Sequence, residues 1–174
     1  DSIFKDPEIK GRYIVTHVVF ELSREPRPCL EYGHLKSAVE AVAASDTLTP
    51  ALVRKVIIKT RKEKLPDPSV MGSAGSFFKN PVISLEHFQR IESAAKAEHG
   101  ADYKVPHYDL PDGVKVPAAW MIEQCGWKGR RSGGAAVYDK QPLVIVNYTG
   151  EAYPEEIIGL ERRIISSVKD KFGV

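Results

Sequence analysis

The stretch Ala-Ala-Val-Tyr at residues 135–138, followed by Leu-Val-Ile-Val-Asn at residues 143–147, predicts two strands that pair around a turn at Lys140 and Gln141. Both runs are short and mostly apolar, and the second is rich in the β-branched residues that strands favour. Two such runs can satisfy each other's backbone hydrogen bonds across a short polar turn. We therefore expect them to be neighbours in one sheet.

The residues that follow this strand pair predict an amphipathic helix that begins at Pro154. Its apolar residues recur at helical spacing, at Ile157, Leu160, Ile164, Val168 and Phe172. Acidic side chains lie near its start and basic ones near its end, which suits the helix dipole. A helix with one apolar face must pack against another element.

Upstream of the strand pair the pattern predicts a mixture of helices and extended segments. The segment 12–22 is rich in β-branched and aromatic residues, and we expect it to form a central strand. Helices are expected at residues 35–44, 50–61, 84–97 and 118–125, and a hairpin at residues 106–116. This order of elements indicates an α+β architecture.

A candidate domain boundary lies at Lys64-Leu65-Pro66-Asp67-Pro68, where two prolines enforce an extended connection. It divides the chain into residues 1–64 and residues 65–174. The glycine-rich loop described below falls at the start of the second part.

The composition excludes several classes of protein. The net charge is +2, with 25 basic and 23 acidic residues spread along the chain, and there is no basic stripe interleaved with aromatics, so nucleic acid is not an expected partner. No apolar run approaches the length of a membrane span, so we expect a cytoplasmic protein that does not bind membranes. The two cysteines, Cys29 and Cys125, are far apart and predict neither a disulfide framework nor a metal site.

The ten residues Gly-Ser-Ala-Gly-Ser-Phe-Phe-Lys-Asn-Pro, at positions 72–81, could carry chemistry. Glycines allow the backbone to approach a ligand closely, and Ser76, Lys79 and Asn80 offer a hydroxyl, a cation and an amide. A glycine-rich turn before a buried Phe pair explains the same residues without any function. The spacing of a nucleotidase phosphate loop is absent.

Within this stretch, residues 74–81 resemble the signature of the UDP-N-acetylenolpyruvoylglucosamine reductase family, also called the UDP-N-acetylmuramate dehydrogenase family. Further segments resemble the family in the same order along the chain, at residues 1–5, 32–35, 64–68, 119–129, 133–137 and 143–147. Several ordered matches are far less probable by chance than one short motif. The resemblance covers essentially the whole chain.

The resemblance implies the reduction of the enolpyruvyl ether of UDP-N-acetylglucosamine to UDP-N-acetylmuramate on the route to peptidoglycan. NADPH would reduce FAD, which passes hydride to the substrate. Ser76 matches the serine that protonates the carbon next to the substrate carboxylate, as a general acid. Its alternative role is that of a turn serine capping a backbone amide.

Four other residues match family positions that bind the substrate. Tyr32 and Lys64 match contacts to the diphosphate, and both side chains can donate hydrogen bonds to phosphate oxygens. Asn80 and Gln124 match amides that contact the nucleotide, with the alternative that each bridges backbone groups. No residue is assigned to the flavin or to a metal.

The sequence also departs from the family. The arginine expected before Asp1, the closing segment with its glutamate, and the amino-terminal region that holds most of the FAD are not in this sequence. We therefore expect a carboxy-terminal fragment, with residues 1–64 a remnant of the FAD-binding domain and residues 65–174 the substrate-binding domain. Alone it should retain neither FAD nor activity. The alternative function is a sugar-nucleotide-binding module without redox chemistry.

Overall fold

The fold is known from a computed structural model, which describes residues 3–25, 27–31, 33–42 and 48–174. Backbone contacts divide the chain into two compact units, residues 1–56 and residues 57–174. No helix in the described ranges is long and apolar enough to cross a membrane.

The first unit contains little regular structure. A turn of 3-10 helix covers Ile3–Lys5, helix α1 covers Leu35–Glu40, and helix α2, Pro50–Lys64, begins here and continues into the second unit. Thr49 caps α2 by accepting a hydrogen bond from the backbone N–H of Leu52. Helix α1 stops short of its predicted end, and residues 43–47 lie outside the described part of the chain.

The predicted central strand at residues 12–22 is wrong. Residues 13–22 form no regular secondary structure and are exposed, with Ile14 90%, Val19 94% and Leu22 84% accessible. A strand needs a neighbour to accept and donate its backbone hydrogen bonds, and no described strand pairs with this segment. Residue composition alone does not supply that neighbour.

The second unit is built on two antiparallel sheets. The four-stranded sheet has the order β1-β7-β6-β5, and the three-stranded sheet has the order β2-β4-β3. The strands are β1 Gly72–Ser76, β2 Val82–Ile83, β3 Tyr108–Leu110, β4 Gly113–Lys115, β5 Arg131–Ser132, β6 Ala135–Val137 and β7 Val144–Asn147. The predicted strand pair is confirmed as β6 and β7, and the predicted hairpin as β3 and β4.

Three further helices complete this unit, which confirms the α+β class. They are α3 Leu85–His99, α4 Ala118–Gln124 and α5 Pro154–Phe172, in agreement with the predicted helices. Ser84 caps α3 by accepting a hydrogen bond from His87 N–H.

Helix α5 covers one face of the four-stranded sheet. Leu160 and Ile164 pack on the sheet residues Ala135, Val137 and Ile145. The opposite face carries Ala136, Val144 and Val146, which pack against Leu65 and Met71 from the segment after α2. The period of two along β6 and β7 therefore separates two cores. A third core lies between the smaller sheet, α3 and α4.

Candidate functional site

Ser76 is the last residue of β1, an edge strand of the larger sheet. It lies opposite Val144, and the pairing register shifts between Ser73 and Ser76. Gly75 adopts φ +75° at this irregularity, a conformation that favours glycine, and its N–H donates to Ser73 Oγ at 3.0 Å. The next residue, Phe77, donates its N–H to Leu143 O at 2.9 Å. The sheet thus pairs with β1 before and after the bulge, and Ser76 is the paired residue that follows it.

A cavity of about 410 Å³ lies beside Ser76. Ser73, Gly75 and Ser76 of β1, Val144 of β7, and Leu65, Pro66 and Pro68 of the extended connection line it. Arg61 and Lys62, from the last turn of α2, complete the lining. No carboxylate is among these lining residues, so the cavity combines two cations with two hydroxyls. Such a lining suits an anionic, hydrogen-bonding ligand.

The carboxylate of Asp67 shapes the connection that forms one wall of this cavity. It accepts hydrogen bonds from the hydroxyl of Ser69 at 2.7 Å and from its N–H at 3.0 Å. These bonds hold the pKa of Asp67 below its usual range, and the charge of Lys62 acts in the same direction. Asp67 therefore stays ionised at neutral pH and fixes the turn.

The chain matches the family model described as UDP-N-acetylenolpyruvoylglucosamine reductase, C-terminal domain, over residues 67–174. The chain belongs to this family. The matched range includes Ser76, Asn80 and Gln124.

Curated relatives in this family match over nearly the whole chain. A protein of Bacteroides fragilis named UDP-N-acetylenolpyruvoylglucosamine reductase is 46% identical over 176 residues, covering 100% of this chain and 49% of the relative. Relatives of the same name from Porphyromonas gingivalis and Chromobacterium violaceum are 42% and 44% identical, covering 99% and 100% of this chain and 48% of each relative. The chain spans about half the length of the curated relatives it matches.

Asn80 links the loop between β1 and β2 to α4. Its Oδ1 accepts a hydrogen bond from Ala118 N–H at 2.9 Å, at the first residue of α4. The other half of the amide, Nδ2, forms no hydrogen bond with the described residues. The Asn80 side chain therefore binds the backbone of α4 through its oxygen, and the two N–H donors of its amide stay available. It does not line the cavity beside Ser76.

Gln124 lies in a different cavity from Ser76. Its Oε1 accepts a hydrogen bond from His99 Nε2 at 2.9 Å, and its side chain lines a groove between α3 and the end of α5. The lining of that groove and the lining of the cavity beside Ser76 have no residue in common. The structure therefore does not bring Gln124 together with Ser76.

The structure does not place either predicted diphosphate contact, Lys64 or Tyr32, in the cavity beside Ser76. Lys64 is the last residue of α2, is exposed, and does not line the cavity beside Ser76. Tyr32 lies outside the described residues. The family model begins after both positions, whereas the curated relatives match across them.

Sequence reasoning missed Arg61 and Lys62 as lining residues. The signal that could have found Arg61 is helical spacing: it stands four residues before Leu65, which packs on the larger sheet. Residues at this spacing lie on the same side of a helical turn, which predicts Arg61 on the side of Leu65.

Proposed function

We propose that this chain is the carboxy-terminal part of a reductase that converts UDP-N-acetylglucosamine enolpyruvate to UDP-N-acetylmuramate in peptidoglycan synthesis, with NADPH reducing an FAD cofactor. Membership of the family and the reductase name of relatives that match the whole chain support this. The observation that carries the proposal is the position of Ser76, at a bulged strand end beside a cavity with two cations. We further propose that the reductase is cytoplasmic.

The two parts of the chain have different roles in this proposal. Residues 65–174 form the substrate-binding domain, and residues 1–64 belong to the FAD-binding domain, most of which lies in an amino-terminal region of the longer protein. The relatives are about twice as long as this chain, which supports a second domain.

The cavity beside Ser76 is a poor fit for the flavin. The cavity beside Ser76 measures about 410 Å³, near the lower end of the range for ligands much smaller than a flavin dinucleotide. The cavity beside Ser76 also has no aromatic side chain on which a flavin ring could stack. We assign no FAD contact to the described residues. This chain alone should not retain FAD.

The proton-transfer step uses Ser76. When hydride has reached the far carbon of the enolpyruvyl double bond, negative charge develops on the carbon next to the carboxylate. The O–H bond of Ser76 breaks, a C–H bond forms at that carbon, and the serine oxygen recovers a proton from solvent. A carbanion is a very strong base, so the close position of the hydroxyl matters more than a large change in its acidity.

The cations beside Ser76 suit the rest of the substrate. Arg61 and Lys62 place two positive charges in the cavity, and the substrate carries a diphosphate and a carboxylate. We propose that these two residues bind substrate anions together with Lys64 and Tyr32. Asn80 keeps its amide donors for the nucleotide, and Gln124 would contact it only in a bound form that brings the two cavities together.

The second candidate function is a binding module without redox chemistry. The cavity beside Ser76 favours it if the chain acts alone. NADPH oxidation by the longer protein distinguishes the reductase from the binding module. The reductase proposal expects oxidation that requires the enolpyruvyl substrate and is absent with UDP-N-acetylglucosamine, which lacks the double bond. Equal rates with and without the enolpyruvyl group would contradict it.

A further inference from the structure

A second groove of about 410 Å³ lies between α3, the end of α4 and the end of α5. It is as large as the cavity beside Ser76 and has none of its lining residues. Gln124 is the one residue of its lining that the proposed reductase function also names. A concave site of this size with a few converging polar groups is the usual form of a small-molecule site.

The floor of this groove is apolar and partly aromatic. Ile91, Ala94 and Ala95 of α3 form one wall. Trp120 and Phe172 form another, with their ring centroids 5.3 Å apart. Trp120 is partly exposed and Ala94 is exposed, and apolar surface in a concavity favours a flat, apolar ring as the ligand body.

Most of the polar groups around the floor are already held in place. Trp120 Nε1 donates to the hydroxyl of Tyr103 at 2.9 Å. Lys171 Nζ lies 3.1 Å from a carboxylate oxygen of Glu98 and donates to the backbone oxygen of Gln124 at 3.2 Å. His87 Nε2 donates to the backbone oxygen of Phe172 at 2.7 Å. These contacts fix the walls before any ligand binds, which lowers the entropic cost of binding.

Arg90 is the exception. Within the described ranges its guanidinium forms no ion pair and no hydrogen bond, although it lines the groove. Glu98 is the one carboxylate in the lining, and Lys171 already pairs with it. Arg90 therefore places an unpaired positive charge beside an apolar groove, where it can bind an anion.

We propose that this groove is a second ligand site, which binds a small molecule made of a flat ring and one anionic group. The ring packs against Trp120 and Ala94, and the anion pairs with Arg90. This site is independent of the reaction proposed at Ser76. Its existence does not require the chain to be part of a reductase.

The test uses the 174-residue chain labelled with ¹⁵N in its two tryptophans, Trp120 and Trp127, with 2-naphthoate as the probe. Trp120 lines the groove and Trp127 does not, so the two indole N–H signals are a reporter and an internal control. We expect a saturable shift of the Trp120 signal alone. The neutral amide 2-naphthamide, which has the same ring, should bind about tenfold more weakly, the loss expected for one charged hydrogen bond.

Two pairs of exposed substitutions sharpen the test. Ala94→Leu fills the groove and should abolish the shift, whereas Ala97→Leu, on the same helix but outside the lining, should leave it unchanged. Arg90→Gln should weaken 2-naphthoate about tenfold without changing the affinity for the amide. Lys104→Gln, the matched charge control, should change neither affinity.

Three results would overturn the proposal: no shift of the Trp120 signal, a shift that survives Ala94→Leu, or equal affinity for the acid and the amide. Arg61→Ala, in the cavity beside Ser76, should not affect this titration. Failure of the reductase proposal would therefore leave the result unchanged.

Discussion

The carboxylate of Glu156 accepts a hydrogen bond from the backbone N–H of Gly134 at 2.8 Å. Its other oxygen accepts from Tyr153 N–H at 2.9 Å, at the start of α5. One side chain thus ties the turn before β6 to the first turn of the helix that covers the sheet. Gly133 in this turn adopts φ +59°, and a Cβ there would meet the Glu156 carboxylate.

Gly134→Ala should destabilise the chain by about 1–3 kcal/mol, because the added Cβ overpacks the turn. It would lie 2.9 Å from the Cα and Cβ of Ala152 and from Thr149 Oγ1, and the backbone cannot move aside as a side chain could. Urea unfolding measures the effect. Gly159→Ala is the control: it adds the same methyl in α5 with nothing within 4 Å, and should stabilise the chain by about 0.5–1 kcal/mol. Equal effects of the two substitutions would contradict the assignment.

Glu156 should also make stability depend on pH. The hydrogen bond from Gly134, followed by that from Tyr153, lowers the pKa of Glu156 from its ordinary value of 4.5. A lowered carboxyl pKa stabilises the fold above the unfolded-state pKa, and this contribution is lost as pH falls through the folded-state pKa. The difference in unfolding free energy between the chain and Glu156→Gln should therefore shrink below about pH 4.5. Glu155→Gln, the same charge change without a described hydrogen bond, should show a smaller trend; a difference independent of pH would refute the prediction.

The fold could be predicted wherever apolar periodicity coincides with packing. Helix α5 and the β6-β7 pair have this pattern, and the structure confirms both. Strand β1 has no such pattern, since all five of its residues are small and exposed, and the sequence indicated a loop. It forms a strand because its backbone pairs with that of β7. Residues 13–22 are the opposite case: their residue types favour a strand, but no described strand pairs with them.

The candidate site was only partly predictable for a related reason. Ser76 stands in a recognisable motif, so its type and its neighbours identify it. Arg61 and Lys62 reach the same cavity because α2 ends beside the sheet, a tertiary fact that a run of basic residues does not disclose. Gln124 has a suitable amide, but α4 places it in the second groove. Residue type indicates chemistry, and only the fold indicates which groups meet.

In the longer protein, Lys64→Ala should raise the KM for the UDP-sugar more than it lowers kcat, because a diphosphate contact is made in both ground and transition states. Arg61→Ala and Lys62→Ala should raise KM about tenfold, since their side chains line the cavity itself. Steady-state kinetics provide the measurement, with Lys59→Ala, an exposed lysine of α2 outside the cavity, as the control. A collapse of kcat at unchanged KM would instead place these residues in the chemistry.

The 174-residue chain alone should show no NADPH-dependent reductase activity and should not retain FAD after purification. The chemistry of a flavin enzyme belongs to its cofactor, and the protein must hold the ring against the substrate. Binding of UDP-sugars should survive weakly, because the cavity beside Ser76 lies within the second unit. An absorbance spectrum of the purified chain checks this. A flavin band that co-elutes with the protein at one equivalent would show that these residues hold the cofactor.

The role of Ser76 is tested most directly by measuring the two half-reactions of the longer protein separately, by stopped-flow absorbance of the flavin, in Ser76→Ala. The substitution should slow reoxidation of the flavin by the enolpyruvyl substrate by about 10²–10⁴, the usual contribution of a general acid. Reduction of the flavin by NADPH should stay unchanged, because it needs no proton from Ser76. Ser73→Ala, which removes the other hydroxyl of the cavity, should have a much smaller effect on substrate reduction. Equal slowing of both half-reactions by Ser76→Ala, or of neither, would contradict the assignment of Ser76 as the proton donor.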